Sequence, residues 1–300
     1  MALAIGVYAA LAFWSDAGRF ADAVRRIGWG TGAILLALSL ANYALRCVRW
    51  RYFLRRLGHP LPWLACSRNY VTGFALTTTP GKAGEAIRSL LLKRRFGVPF
   101  TDSLAAFLAE RFSDVLALIV LCALAGSMLP MGQWIAVAVA AFVALALWVA
   151  ASDGRIVIAT RWLGAVLPHR LVAPFGSLIG QAGRLTRGPA LGTGLVLSLL
   201  AWAAEGFALS LIVSSMGAAT GVAAATGIYA IALLGGALLF LPGGLGSTEA
   251  LMFMLLLNSG MDPVAAGAAT VISRVTTLWF AVLLGWIVLV IPSSPRVTIT

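Results

Sequence analysis

The sequence predicts an all-α, polytopic helical membrane protein made of two inverted repeats, each with a re-entrant helical hairpin. Three observations carry that expectation. The 300-residue chain is 61% hydrophobic and only 11% charged, with a mean hydropathy of +0.96, whereas soluble domains carry about 25% charged residues. Its apolar residues gather into runs near the ~20 residues needed to cross a ~30 Å hydrocarbon core, without the alternation of an outer-membrane barrel. One polar pattern, broken by Pro-Gly, occurs twice. Residues 1–300 are read as a single transmembrane domain, with repeat 1 at about 61–126, a cytoplasmic amphipathic loop at about 151–188 and repeat 2 at about 223–292.

Taken in order, spans are expected at about 1–14, 31–50, 61–79, 99–126, 132–150, 190–214, 223–241 and 262–292. The first lacks a basic n-region and a small-x-small cleavage site, so it reads as a short helix and not as a cleaved signal. Lysine and arginine set the sidedness. Segments 46–56 and 93–95 and the loop 151–188 are basic and belong in the cytoplasm. Loops 127–131 and 215–222 carry no lysine or arginine, and 257–264 carries only Asp262. Those belong outside. The 15–30 loop must also be outside, although Arg19, Arg25 and Arg26 outnumber Asp16 and Asp22 there. This arrangement holds only if 80–95 and 242–258 each return to the side from which the preceding helix came. Both termini are then cytoplasmic, in a bacterial-type inner membrane. In 151–188, Ile156, Trp162, Leu163, Val166, Leu171, Phe175, Leu178 and Ile179 are interleaved with arginines. That suits either helices lying on the inner leaflet or a solvated connector.

The repeated pattern is Pro80-Gly81-x-x-Gly84-Glu85 and Pro242-Gly243-x-x-Gly246, with Glu249 three residues further on. Gly97 follows its proline by 17 residues and Gly260 by 18; Arg111 follows by 31 and Arg274 by 32. Pro99 and Pro263 each open the next helix. The two copies start on opposite sides by charge, which makes the repeat inverted, as in transporters with discontinuous helices. Proline lacks a donor and glycine tolerates unusual dihedrals. The breaks therefore free backbone groups that only protein or a water-filled cavity can satisfy. The next helix aims its positive N-terminus into that space.

Lys82, Glu85, Arg88, Glu110, Arg111 and Asp114 in the first copy, with Glu249 and Arg274 in the second half, are the candidate lining of a lipid head-group cavity, and Glu205 is a further charged residue of the second half. An ionisable group at mid-bilayer costs about 2.5–3.5 kcal/mol on insertion scales, so these groups must face inward and pair. Glu110 and Asp114 share one helix face. They serve either a site or structural ion pairs, and Asp114 is a candidate partner for an arginine of the other repeat. Matched arginines suit phosphate, which guanidinium binds bidentately. Lys82 either reinforces an anion site or snorkels.

The net charge of +12 is spread over short loops and forms no continuous basic face, which excludes nucleic acid as a partner. Arg46, Arg49, Arg51, Arg55 and Arg56 read as topology determinants, serving either orientation alone or orientation together with the holding of anionic lipid. Trp50 and Trp63 read as an interfacial belt, and His59 and His169 as solvated. Cys47, Cys66 and Cys122 have no metal spacing and read as packing residues. No nucleotide P-loop pattern is present, and no cofactor is expected.

The stretches "PGKAGEAIR…GVP…AERFSD" and "LPGGLGSTEA…G…ISR" resemble the lysylphosphatidylglycerol synthase transmembrane region, also called the flippase-like domain family, over about residues 30–292. The resemblance implies an inner-membrane lipid translocase with two re-entrant hairpins meeting at a lipid cavity. In bifunctional members of that family a separate soluble domain makes aminoacyl-phosphatidylglycerol; a stand-alone membrane region without aminoacyl transfer is expected here. The second copy lacks the lysine and displaces the glutamate, so its tip is less charged. The expected function is a flippase for an anionic or glycosylated lipid, including isoprenoid or hopanoid classes. The rivals are a membrane glycosyltransferase or lipid-modifying enzyme using Glu85 or Asp114, and a non-transporting assembly partner. A second copy of the chain or a lipid-biosynthesis protein is left open as a binding partner.

Overall fold

The computed structural model describes residues 17–78, 83–126, 178, 180–238 and 244–291. The spans expected at 1–14 and 132–150, His169, and the amphipathic stretch 151–177 lie outside the described residues. So do Pro80, Gly81, Lys82, Pro242 and Gly243, and the side chain of Glu85. Among the described residues there are helices and turns and no strand.

Ten α-helices are described in chain order. They are α1 (Ala17–Arg25), α2 (Gly28–Arg56), α3 (Trp63–Thr72), α4 (Ala83–Phe96), α5 (Phe100–Gly126), α6 (Gly188–Ser215), α7 (Val222–Leu238), α8 (Ser247–Asn258), α9 (Pro263–Arg274) and α10 (Phe280–Val290). A 3₁₀ turn, Gly73–Leu76, extends α3, and a π turn, Val275–Trp279, joins α9 to α10. Residues 180–185 are also helical. Gly28–Arg56, Gly188–Ser215 and Pro263–Val290 are long and apolar enough to cross a membrane. By contrast α4 has 14 residues and α8 has 12. At 1.5 Å per residue they reach only about 21 and 18 Å, short of a ~30 Å core.

Local chemistry sets these boundaries. The segment after α4 turns at Gly97 (φ 69°) and the one after α8 at Gly260 (φ 90°), a left-handed conformation that costs other residues strain. Each glycine is followed by a buried apolar residue, Val98 or Met261, and then by a proline at the start of the next helix, Pro99 just before Phe100 and Pro263 as the first residue of α9. Asp262 caps α9, its carboxylate accepting from the amides of Val264 (3.0 Å) and Ala265 (3.3 Å). At the second break Gly246 (φ 86°) is the N-cap of α8, and its amide donates to Glu249 Oε2 at 2.8 Å.

The helices pair in a way that survives exchange of the two halves. α2 and α6 pack on each other, α4 lies between α3 and α5, and α8 lies between α7 and α9. α5 packs on α7, and α10 packs on α3 and its 3₁₀ turn. Two repeats related by an internal two-fold axis would produce these partners. Gly285 lets α10 reach that turn, since a Cβ there would lie 2.2 Å from the Ala75 amide nitrogen. One apolar core joins the first half of α2 to α1, α6, α7, α8 and α9. Another joins the second half of α2 to α3, α4, α5 and α10. α2 is common to both.

Candidate functional site

α2 carries an inward polar stripe. Ser39, Asn42, Tyr43 and Arg49 are buried at helical three- and four-residue spacings, and Arg46 between them is half-buried. The stripe faces α6. There Gly194 leaves room for close approach, since a Cβ at that position would lie 2.8 Å from both Phe53 Cζ and Ser113 Oγ.

Arg49 is fully buried, and its guanidinium organises the centre of the site. Nη1 donates to Asp114 Oδ1 at 2.5 Å and to the hydroxyl of Ser198, while Nη2 lies 3.4 Å from Glu110 Oε1. Arg88 Nη2 donates to the other Glu110 oxygen at 2.8 Å. Asp114 further accepts from Trp202 Nε1 at 3.0 Å and pairs with Arg111 Nη2 at 3.0 Å. Arg88 stacks over Trp50 at 3.7 Å and lies 4.8 Å from the Tyr70 ring centre. Among the described residues, three arginines thus face two carboxylates in this cluster. Arg46 lies nearby, its Cζ 5.3 Å from the Trp202 ring centre.

Glu249 and Arg274 form a second, separate pair. Arg274 Nε donates to Glu249 Oε1 at 2.8 Å, and the other oxygen of Glu249 caps Gly246. This pair ties the start of α8 to the end of α9, where the π turn begins. That turn presents the carbonyl of Thr277 to the hydroxyl of Tyr43. Widened turns of this kind release backbone groups and recur at functional sites.

Between the two ion-paired clusters lies Glu205 of α6. Its Oε2 accepts from Ser39 Oγ at 3.3 Å. One turn away Asn42 Nδ2 donates to the carbonyl of Ala201 at 2.7 Å. Tyr43, Arg46 and Tyr229 are within electrostatic reach of Glu205, and Arg274 is within reach of Tyr229. A polar seam therefore runs through the α2–α6 contact from one cluster toward the other.

Of the residues the sequence singles out, Arg88, Glu110, Arg111 and Asp114 come together in one network, and Glu249 and Arg274 in another. Gly84 lies in the first turn of α4, and Gly246 caps α8. Four readings need correction. Arg49 is no surface determinant of topology, because helical geometry turns it inward while Arg55 and Arg56 stay exposed. Asp114 consequently pairs with Arg49 and Arg111 and not with an arginine of the second repeat. Trp50 is fully buried under Arg88 instead of lying at the interface. His59 is not simply solvated, since its Nε2 sits 2.7 Å from Asp102 Oδ2. Arg49, Ser198 and Trp202 are the site residues that sequence reasoning missed. The spacing of Ser39, Asn42, Tyr43, Arg46 and Arg49 along one helix face was the signal that could have found Arg49.

The family profile described as the lysylphosphatidylglycerol synthase TM region matches residues 1–285. The chain belongs to this family. Two similar relatives are both called UPF0104 membrane protein and come from Methanothermobacter thermautotrophicus. One is 29% identical over 305 residues, covering 95% of this chain and 90% of the relative. The other is 25% identical over 300 residues, covering 89% and 87%. Membership and the helical spans make the chain a multi-pass membrane protein of the family.

Proposed function

We propose that this protein is a lipid flippase that moves an anionic or glycosylated lipid between the leaflets of a cytoplasmic membrane. The head group passes through the polar seam while the acyl chains stay in lipid. The observation that carries the reading is the ion-paired network of buried Arg49, Arg88, Glu110 and Asp114 with half-buried Arg111, set inside an apolar helical bundle. Buried ion pairs gain little stability over apolar packing, and ionisable groups at membrane depth mark substrate paths. The guanidinium groups gathered there suit a phosphate-bearing head group. The two broken helices, α3–α4 and α7–α8, support re-entrant hairpins of the kind that lets one half rock against the other. Membership in a family described by a lysylphosphatidylglycerol synthase agrees with a lipid as substrate.

The test is reconstitution into vesicles holding a panel of head-group-labelled phospholipids, glycolipids and polyprenyl phosphates. Leaflet exchange of at least one anionic or glycosylated member above the protein-free rate is expected, and loss of that exchange in Asp114→Asn. Exchange at the protein-free rate for every lipid overturns the reading.

A further inference from the structure

Apart from Asp102, which sits against His59, the four buried carboxylates Glu110, Asp114, Glu205 and Glu249 do not have the same company. Glu110, Asp114 and Glu249 each hold an arginine at 2.5–3.4 Å. Glu205 is 2% exposed, yet among the described residues its carboxylate receives a hydrogen bond only from a neutral hydroxyl, that of Ser39. Adding a proton to Glu110 or Asp114 would sacrifice an ion pair with a guanidinium. Adding one to Glu205 sacrifices none and leaves the Ser39 contact able to reverse its direction, since a hydroxyl both donates and accepts.

Its position matters as much as its company. Ser39 lies on α2, the helix common to both apolar cores, and Glu205 on α6, which packs against α2. The groups facing Glu205 are Ser39, Tyr43 and Arg46 from α2 and Tyr229 from α7, with Arg274 of α9 beyond Tyr229 and Thr277 of the π turn bonded to Tyr43. A change of charge at Glu205 is therefore felt by Arg46 and Tyr43 of α2 and by Tyr229 of α7, the residue that Arg274 also reaches.

We propose that Glu205 is the proton-binding group that couples lipid movement to a transmembrane proton gradient. This rests on the flippase reading and names its energy source. The step is a simple exchange: a proton from water adds to a carboxylate oxygen of Glu205 when the seam is open to one side. It returns to water when the seam opens to the other, with no other bond made or broken. While the proton is bound, the site presents one negative charge fewer to an anionic head group beside Arg46.

The proton site is tested without lipid movement. Infrared difference spectra of the purified full chain in vesicles are recorded as pH is changed. A carbonyl band of a protonated carboxylic acid that titrates in the wild type and disappears in Glu205→Gln is expected. Ser39→Ala should keep the band and shift its frequency, because one hydrogen bond to the group is gone. A titrating band that persists in Glu205→Gln, or the absence of any such band in the wild type, overturns the proposal. If Glu205→Gln does not fold, a band unmoved by Ser39→Ala overturns it equally. In the vesicle assay, an imposed pH gradient should accelerate exchange severalfold in the wild type and not in Glu205→Gln. A Glu205 band together with no exchange of any lipid would leave the proton site standing and remove the flippase reading. Exchange indifferent to the gradient would remove the coupling.

Discussion

At the scale of the residue, Arg49 decides how the charged cluster is understood. It is the cation shared by Glu110 and Asp114, so Arg49→Ala leaves two buried carboxylates short of a partner. Breaking such a pair typically costs about 3–5 kcal/mol, whereas replacing both partners by apolar groups of similar volume is often close to neutral. Arg49→Ala should therefore lower the thermal stability of the detergent-purified protein markedly. The double variant Arg49→Met with Asp114→Leu should recover much of that stability yet fail in lipid exchange. Wild-type exchange by the double variant would reduce the cluster to a structural clamp. The conservative Arg49→Lys should fall between, because an ammonium cannot serve Asp114, Glu110 and Ser198 from one planar group.

At the scale of the element, small residues shape helix ends and helix contacts by two different means. Gly97 and Gly260 have positive φ and nothing within 4 Å of a would-be Cβ, so their role is conformational. Alanine at either should cost about 1–2 kcal/mol through left-handed strain alone. Gly285 has ordinary dihedrals but faces the backbone of Ala75 at 2.2 Å from a would-be Cβ. Gly285→Ala must push α10 off the 3₁₀ turn and should cost at least as much, and Gly285→Val more. Thermal unfolding of the three alanine variants checks the order; a harmless Gly285→Ala would mean that α10 is not seated on the turn as described.

The same elements show what sequence can carry. Gly97, Pro99, Gly260 and Pro263 mark turns by chemistry that acts within a few residues, and the helices α4, α5, α8 and α9 begin and end close to where those residues place them. Arg49 was obscured because charge was counted along a run while burial is decided around a helix. The run 46–56 holds five arginines, and only periodicity separates the one that turns inward. The pairing of Asp114 with Trp202 and of Glu205 with Ser39 spans 88 and 166 residues. No local pattern specifies partners so distant; they follow from which helices the apolar faces bring together.

At the scale of the whole molecule, the exchange-symmetric helix partners gain a functional meaning only if the two copies sit in opposite senses across the bilayer. A two-fold axis in the membrane plane would let the same seam open first to one side and then to the other by swapping the conformations of the halves. An axis along the membrane normal would give two copies facing the same way and no such alternation. The turn after α4 and the turn after α8 distinguish these cases, since Arg95 and Ser259 are both exposed there. With Cys47, Cys66 and Cys122 replaced by serine or alanine, Arg95→Cys and Ser259→Cys are each probed in intact cells with a membrane-impermeant maleimide. Ser259→Cys should react from outside at once, and Arg95→Cys only after the membrane is opened, consistent with the basic residues Lys93, Arg94 and Arg95 beside it. Reaction of both from one side would mean that α4 and α8 enter in the same sense. The buried charges would then belong to a static core, and the alternating route through the α2–α6 seam would have no mechanical basis.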